Sequence, residues 1–503
     1  MDQIKKAWEN KPLTLIVWIA IILRLIAAIF SKGFGMHDDH FLVIEAAQSW
    51  VDGYDYNNWL PKNADTPSGH SFFYVGIHYL VFWFLNWTGM EDAQAKMYVI
   101  RILHAFYSLI TVVIGYKIAN KLHSKKAARI TGLLLAAYWF MPFLSVRNLV
   151  EVVCIPLMIY GTWLIIKSED KKHVLMYVFW AGFMLGLAFS TRFQTLIFTG
   201  GLGLALLIKT KWKESLMFAL GFLVSIFLIQ GMIDLFVWGY PFAELSEYIR
   251  YNMEHAYDYN VIAWYSFILL VLGILLPPVS LFMGFGFFRK WKKHIVIFLP
   301  TILFFIFHSA FPNKQERFIL PVVPFIIVLG MIGWTDFVEK SKFWKNHRKL
   351  LRASWIFFWV LNLILLPAIT TMYSKRARVE SMTYLSSYEN IGHIARENTN
   401  KGNAKMSPRF YLEEWVYESE VSQSQPLTKE RYKNDPPSFV LFFEDEKLEQ
   451  RVENFKEVVP GLVYETTIQP GFVDKVMHWL NPNNANEVIY IYRNTKKFPE
   501  PSP

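Results

Sequence analysis

The sequence predicts an all-α polytopic membrane protein that carries a small α/β domain at its C-terminal end. Of its 503 residues, 53% are hydrophobic. Apolar segments of about 15 to 25 residues recur through the first three-quarters of the chain, which is the length that a membrane-spanning helix needs. After Tyr373 the composition becomes charged and rich in tyrosine and proline. We therefore predict a transmembrane domain over residues 1–373 and an extracytoplasmic domain over residues 374–503.

Clusters of lysine and arginine between the apolar segments predict the topology. They occupy residues 5–11, 117–129, 167–172, 209–213, 289–293 and 340–352. Short cytoplasmic loops carry most of the basic residues of a membrane protein, so an even number of spans separates successive clusters. Spans that satisfy this rule, about 11 in all, are 13–30, 97–116, 130–145, 150–166, 174–190, 195–208, 215–232, 263–287, 295–310, 319–335 and 354–373. Because the basic residues form no continuous face, the net charge of +10 does not indicate a nucleic-acid partner.

A further apolar stretch, 71–88, lies where the charge rule allows no additional span. It is rich in aromatic residues and includes His78. Aromatic side chains favour the interface between membrane and water. We therefore predict a juxtamembrane or re-entrant helix on the outer face.

Five unusual polar segments fall on the outer face in this topology. A single charge at a helix end often only extends towards water. Five segments that converge on one membrane face instead indicate a binding site at the outer mouth of a helix bundle. The five segments are the pair 38–39, 145–148, 190–192, the loop 234–260 and 308–318.

The first of these segments, 33–41, contains two adjacent carboxylates, Asp38 and Asp39, between His37 and His40. Ionisable residues at a membrane boundary are costly, which makes them functional candidates. A carboxylate such as Asp38 can accept a proton from an attacking hydroxyl. The same four residues are also of types that bind divalent cations, but neighbouring residues rarely point at one centre. We predict neither a metal nor another cofactor.

The last segment, 308–318, supplies an imidazole, an ammonium and a guanidinium from His308, Lys314 and Arg317. Arginine binds phosphate oxygens through its planar fork and lysine binds them as a point charge. A phosphate bound by these residues would lie at the membrane surface, which is where the phosphate of a lipid lies. A base on one side and a phosphate leaving group on the other fit the transfer of a sugar from a lipid phosphate.

The C-terminal region predicts a small α/β fold. Residues 380–398 have a helical pattern. Residues 438–443, 462–468 and 488–492 are β-branched and aromatic runs bounded by proline, glycine or asparagine, as is typical of strands.

Ordered motifs over residues 13–335 resemble the polyprenyl-phosphate-sugar-dependent α-mannosyltransferases of the GT-C superfamily, glycosyltransferase family 22. That family has a His-Pro-Asp-Glu-x-Phe loop, a Pro-Arg helix, an Arg-Thr-x-Ser-Asn-x-x-Glu segment, an Asp-x-x-Phe-Tyr-Gly loop followed by Tyr/Phe-Asn, and a His-Lys-Glu-x-Arg-Phe-x-x-Pro signature. The corresponding residues here are 36–41, 101–105, 145–151, 234–239 with 251–252, and 313–321. Met36-His37, Asp39, Asn313 and Gln315 depart from the family pattern, whereas Asp38, Lys314 and Arg317 match it.

The resemblance implies a GT-C-like helix bundle and an inverting transfer from a β-linked polyprenyl phosphate to an α-glycoside. Asp38 would be the catalytic base, and Asp39 beside it is the second catalytic candidate. Lys314 and Arg317, together with His308, would hold the donor phosphate. The remaining candidates for the substrate cleft are His37, Arg147, Arg192, Asp234, Tyr251 and Asn252. The implied partners are a lipid-linked sugar donor, a glycan or glycolipid acceptor and the bilayer.

Two other classes of function remain open at this stage. A transporter or flippase of a lipid-linked sugar would need charges within its spans, where the sequence has few besides Arg24 and Arg101 near span ends. An extracytoplasmic binding protein would use residues 375–503. For the location, we predict a bacterial inner membrane with a periplasmic site, or the ER membrane with a lumenal site in a eukaryote.

Overall fold

The computed structural model describes residues 2–64, 66–258, 261–481 and 487–499. Contacts divide the chain into two compact units. We call the first the bundle unit; it comprises Met1–Ile29, Asn57–His78 and Ile100–Thr371. We call the second the sheet unit; it comprises Phe30–Tyr56, Tyr79–Val99 and Met372–Pro503. The predicted domain boundary at residue 373 stays a prediction.

Helices make up most of the described chain before Tyr373. The α-helices are Asp2–Asn10, Pro12–Phe30, His37–His40, Ala46–Val51, Phe72–Trp87, Ala93–Leu122, Lys125–Ala137, Met141–Leu144, Val150–Ser168, Val174–Thr191, Thr195–Ile208, Trp212–Ile226, Met232–Trp238, Ala243–Glu254, Ser266–Ile274, Val279–Arg289, Ile295–Ala310, Val323–Lys340, Lys342–Asn346 and Arg348–Thr370. Two π-helical turns, Phe41–Glu45 and Phe227–Gly231, and the 3₁₀ helix Glu316–Val322 join some of them.

Seven helical segments of the described chain are long and apolar enough to cross a bilayer, or eight if the bent pair Ser266–Ile274 and Val279–Arg289 is one span. The seven are Pro12–Phe30, Ala93–Leu122, Val150–Ser168, Val174–Thr191, Trp212–Trp238, Glu316–Lys340 and Arg348–Thr370. The predicted polytopic helical membrane protein is confirmed. Shorter apolar helices are Phe72–Trp87, Thr195–Ile208 and Ile295–Ala310. The exact number of spans and the membrane placement of 71–88 stay predictions.

The predicted span 130–145 is broken, because the helix Lys125–Ala137 ends at Tyr138, whose backbone is extended. Asn362 stabilises this break from the helix Arg348–Thr370. Its side-chain nitrogen donates to the carbonyl of Ala137 at 2.8 Å, and its oxygen accepts from the amide of Trp139 at 2.9 Å. One fully buried amide therefore pairs two backbone groups that the helix leaves unpaired.

Two helices of the bundle unit pack at backbone distance. A β-carbon at Gly182 would lie 2.0 Å from the carbonyl of Phe218, and one at Gly221 would lie 2.0 Å from that of Phe179. Small residues allow such close contact between membrane helices, where van der Waals packing and not hydrophobic transfer drives association.

The sheet unit contains a five-stranded sheet whose strand order is β2-β1-β3-β5-β4. The strands are β1 His393–Asn398, β2 Tyr417–Ser422, β3 Phe439–Phe443, β4 Leu462–Ile468 and β5 Ile489–Asn494. β1 pairs in parallel with β2 and β3, and β5 pairs antiparallel with β3 and β4. The short helices of this region are Arg376–Leu385, Arg409–Leu412 (3₁₀), Lys429–Tyr432, Leu448–Lys456 and Phe472–Leu480. The predicted C-terminal α/β fold and its three strands are confirmed.

The prediction of a helix over 380–398 is wrong in its second half. The helix ends at Leu385, and His393–Asn398 forms β1 between two parallel neighbours. The charged residues of this buried strand misled the prediction. Partners elsewhere in the fold neutralise them: Glu397 pairs with Arg451 at 2.6 Å, and Arg396 pairs with a glutamate of β2.

We expect Asn362→Leu to destabilise the protein by about 2 kcal/mol or more, since a buried amide and a buried carbonyl would each lose a hydrogen bond. Thermal unfolding in detergent or nanodiscs measures the effect. Leu363→Ala is the control, because Leu363 is next in the chain but 58% exposed. Equal unfolding midpoints for Asn362→Leu and the wild type would contradict the role of this amide.

Candidate functional site

The loop with the two aspartates begins at a glycine with a left-handed backbone conformation. Gly33 has a φ of +73°, and a β-carbon there would lie 1.9 Å from the carbonyl of Ser374. The amide of Ser374 in turn donates to the carbonyl of Lys32 at 3.1 Å. Glycine is therefore required where the loop pairs with the chain that follows the last membrane helix.

The adjacent aspartates lie in different environments. Asp39 is buried, and its carboxylate accepts hydrogen bonds from the amides of Gly35 at 3.1 Å and Met36 at 2.9 Å. These bonds cap the short helix His37–His40 and fix the turn before it. Asp38 is half-buried and His37 is exposed. Backbone geometry thus distinguishes two carboxylates that the sequence presents as equivalent.

In the bundle unit, two arginines converge on one carboxylate oxygen. Arg192 Nη1 lies 2.7 Å from Glu151 Oε1, and Arg317 Nε lies 3.3 Å from the same atom. Glu151 is fully buried in the first turn of Val150–Ser168. Its negative charge offsets the repulsion that two neighbouring guanidinium groups would otherwise feel. Both guanidinium groups also lie over the ring of Phe318, at 5.2 and 5.6 Å.

His308 belongs to the same buried cluster. Its Nε2 lies 3.2 Å from Gln194 Oε1, an oxygen that also accepts a hydrogen bond from Arg192, and its Nδ1 lies 2.8 Å from the carbonyl of Phe304. The structure therefore brings together three predicted residues, His308, Arg192 and Arg317. We call these three residues, with Glu151 and Gln194, the arginine cluster.

Lys314 and Arg147 have local contacts of their own. The ammonium of Lys314 donates to the carbonyls of Phe311 at 2.6 Å and Pro312 at 3.3 Å. The guanidinium of Arg147 lies 4.3 Å from the ring centre of Phe143. These contacts hold both cations against their own segments.

Asp234 belongs to a second buried network. Gln230 Nε2 donates to Asp234 Oδ1 at 2.8 Å and to Glu244 Oε2 at 2.7 Å, and Asp234 accepts from the amide of Glu244 at 3.2 Å. Glu244 also accepts from the amide of Phe72 at 3.0 Å. Burial and the charge of Asp234 raise the pKa of Glu244 to about 9. The network ties the helix Ala243–Glu254 to the start of Phe72–Trp87.

Two further predicted residues lie on the helix Ala243–Glu254. Asn252 donates to the carbonyl of Tyr248, one turn earlier, at 2.8 Å. Tyr251 is exposed and its ring contacts that of His255. The end of the predicted loop, Tyr259 and Asn260, lies outside the described residues.

Sequence reasoning missed the importance of Glu151, Gln194 and Glu244. Glu151 is the final residue of the segment 145–151, so its place in a motif was the available signal. Within the described part of the chain, no three His, Cys, Asp or Glu side chains are grouped as a metal site would require. The roles of the predicted site residues, and the absence of a cofactor, stay predictions.

The helices and the five-stranded sheet together form a GT-C-like fold. ArnT from Cupriavidus metallidurans, solved bound to undecaprenyl phosphate, has this fold, with a TM-score of 0.61 at 11% identity over 95% of this chain and 97% of that chain. The model of the Alg9-like mannosyltransferase family matches residues 15–415, and the chain belongs to that family. This confirms the resemblance that the motifs indicated.

Named relatives agree with the family. GPI alpha-1,2-mannosyltransferase 3 of Bos taurus is 23% identical over 85% of this chain and 74% of its own length. Mannosyltransferase APTG1 of Arabidopsis thaliana is 20% identical over 87% of both chains. The protein is therefore an enzyme, a membrane glycosyltransferase of the mannosyltransferase type.

We expect Glu151→Gln to destabilise the protein by roughly 3 to 5 kcal/mol, because the two guanidinium groups would lose their buried counter-charge. Glu169→Gln removes a carboxylate that follows the same helix but pairs with Lys209 at the surface. It should cost about 1 kcal/mol or less. Thermal unfolding of both variants measures the difference. Equal losses would show that the arginine cluster does not depend on Glu151.

The raised pKa of Glu244 predicts a pH dependence of stability. Its ordinary pKa is 4.5 and its pKa in the fold is about 9, so folding favours the protonated carboxyl. The resulting stabilisation is complete below the ordinary value and is lost as the pH rises towards 9. Glu244→Gln should therefore flatten the fall in unfolding temperature between pH 5 and pH 9, a range set by these pKa values. Parallel profiles for variant and wild type would contradict the assignment.

Proposed function

We propose that the protein is an inverting mannosyltransferase. In this proposal it moves a mannose from a polyprenyl-phosphate donor to a hydroxyl of a glycan or glycolipid on the extracytoplasmic face. Membership of the Alg9-like family supports the sugar. The lipid phosphate bound to ArnT, which shares the fold, supports the class of donor.

The observation that carries the proposal is the arginine cluster. Arg192 and Arg317 are held side by side on one oxygen of Glu151, next to His308. Preorganised guanidinium groups bind phosphate oxygens in a fork geometry and need little rearrangement when the anion arrives. We assign the donor phosphate to Arg317, with His308 and Lys314 as further donors. Arg192, Arg147, Asp234, Tyr251 and Asn252 remain the proposed cleft residues, with His37 on the loop.

Asp38 is the proposed base. Both oxygens of Asp39 accept backbone hydrogen bonds, so Asp39 shapes the loop, whereas the half-buried Asp38 stands beside it. In the reaction, Asp38 accepts the proton of the acceptor hydroxyl, and that oxygen bonds to the anomeric carbon. The bond from this carbon to the phosphate oxygen breaks, and polyprenyl phosphate leaves with the electron pair. Attack opposite the leaving group converts a β-linkage into an α-linkage.

The distribution of basic residues supports an extracytoplasmic site, because the predicted topology places the candidate loops opposite the lysine and arginine clusters. The compartment follows from the host: the periplasmic face of a bacterial inner membrane, or the ER lumen in a eukaryote. Membership of a transferase family favours this proposal over a flippase or a binding protein.

We expect Asp38→Asn to lower transfer by about 100-fold or more, the contribution typical of a positioned base. The assay uses proteoliposomes, radiolabelled polyprenyl-phosphate mannose and a panel of mannose-terminated glycolipids. Asp55→Asn is the control: Asp55 is a buried carboxylate of the same unit, and it accepts a hydrogen bond from the indole of Trp50. Donor binding should survive in Asp38→Asn and weaken in Arg317→Ala.

Two outcomes would contradict the proposed function. The first is normal turnover in Asp38→Asn. The second is movement of the labelled lipid across the vesicle membrane with its mannose still attached and no transfer product, which would indicate a flippase.

A further inference from the structure

The loop that carries Asp38 is held at its start by the chain that follows the last membrane helix. Gly33 pairs with Ser374 in a β-bridge. The guanidinium of Arg378 lies 5.2 Å from the ring centre of Phe34. All of these residues belong to the sheet unit. The loop therefore packs as part of the sheet unit, although it precedes most of the bundle unit in sequence.

A second set of contacts lies beyond the aspartates and centres on Glu45. Glu45 is fully buried, and its Oε1 accepts a hydrogen bond from the amide of Phe410 at 3.1 Å. The same oxygen lies 3.3 Å from Nε2 of His40. Phe410 belongs to the 3₁₀ helix Arg409–Leu412, far away in sequence. One carboxylate oxygen thus joins the aspartate loop to the C-terminal fold.

The ring of His40 is also stacked against two aromatic rings. It stacks on Phe34 at 4.7 Å and on Tyr411 at 5.5 Å, nearly parallel to each. His40 ends the short helix that begins at His37, so fixing its ring fixes the helix that carries Asp38. Tyr411 is the residue after Phe410, and the 3₁₀ helix therefore contacts the loop twice.

The pairing of His40 with Glu45 depends on the π-helical turn Phe41–Glu45. In an α-helix, residues five apart point in directions that differ by about 140°, since each residue turns the chain by about 100°. The i→i+5 bonding of a π-turn brings such residues to the same side, and such turns are frequent at functional sites. The turn therefore allows both side chains to face the Arg409–Leu412 segment.

We propose that Glu45 is a positioning residue for the transfer reaction and that the C-terminal fold supports the aspartate loop through it. This inference rests on the proposed role of Asp38 as base. Glu45 acts through His40 and the Phe410 amide, and it touches no substrate. A displacement of about 1 Å at a reacting group can cost about 100-fold in rate, so a loosened loop reduces kcat more than donor binding.

A control variant separates positioning from general stability. Glu397 lies on β1 of the sheet unit, where it is also buried, and it pairs with Arg451 at 2.6 Å. Glu397→Gln should lower the unfolding temperature while leaving kcat unchanged. Glu45→Ala should lower kcat by about 30-fold or more, within the range for a displaced group, with the donor KM changed less than about twofold. Glu45→Gln should recover part of the rate, because its amide oxygen still accepts from Phe410.

Hydrogen exchange gives a second readout that needs no acceptor. The amides of Gly35 and Met36 are bonded to Asp39, so they report on the order of the loop. In the full-length protein in nanodiscs, exchange of a peptide spanning 33–41 should accelerate in Glu45→Ala. It should remain at the wild-type rate in Glu397→Gln.

The outcomes distinguish this inference from the proposed function. Normal turnover in Asp38→Asn would overturn the function itself. Loss of turnover in Asp38→Asn, combined with wild-type kcat and exchange in Glu45→Ala, would overturn only the role of Glu45. If Glu45→Ala does not fold, Glu45→Met decides, because it keeps the size of the side chain but loses the oxygen that accepts from Phe410. Wild-type kcat together with wild-type exchange in Glu45→Met would contradict the positioning role. An equal rise in exchange in Glu397→Gln would reduce the effect to general stability.

Discussion

Ionised groups that leave water need partners, and this constraint shapes both units of the protein. In the bundle unit, Glu151 holds two arginines that would otherwise repel each other. In the sheet unit, Glu45 is buried against a backbone amide and a histidine. Each carboxylate fixes polar groups that an unpaired site would leave mobile, and the proposed chemistry relies on that fixed geometry.

The same requirement extends to the backbone. Where the helix Lys125–Ala137 stops early, Asn362 pairs the carbonyl and the amide that the helix leaves unpaired. Where Phe72–Trp87 begins, Glu244 accepts the first amide. Within a bilayer no water replaces such bonds, so a break inside a span, like the one after Ala137, needs a side chain to pair it. These stretches are where the bundle departs from simple apolar spans.

The neighbouring aspartates show how the fold divides roles between similar residues. The backbone amides of Gly35 and Met36 engage Asp39, and the turn they form sets the start of the helix that carries Asp38. The sequence motif indicated both Asp38 and Asp39 but did not distinguish their roles. Hydrogen bonds to a turn depend on backbone angles, which a motif does not specify. The sequence did not predict a role for Glu45 for a related reason: its hydrogen-bond partner, Phe410, is distant in sequence.

The sequence alone determined the membrane class, the approximate helices and the family, since long apolar runs and ordered polar motifs are local features that survive any tertiary arrangement. Tertiary structure decided which charges pair, where the span near Tyr138 breaks and that His393–Asn398 is a strand. The physical reason is that pairing energy and strand hydrogen bonds come from residues far apart in the chain. A charged segment therefore forms a buried strand once Arg451 and the strands β2 and β3 surround it.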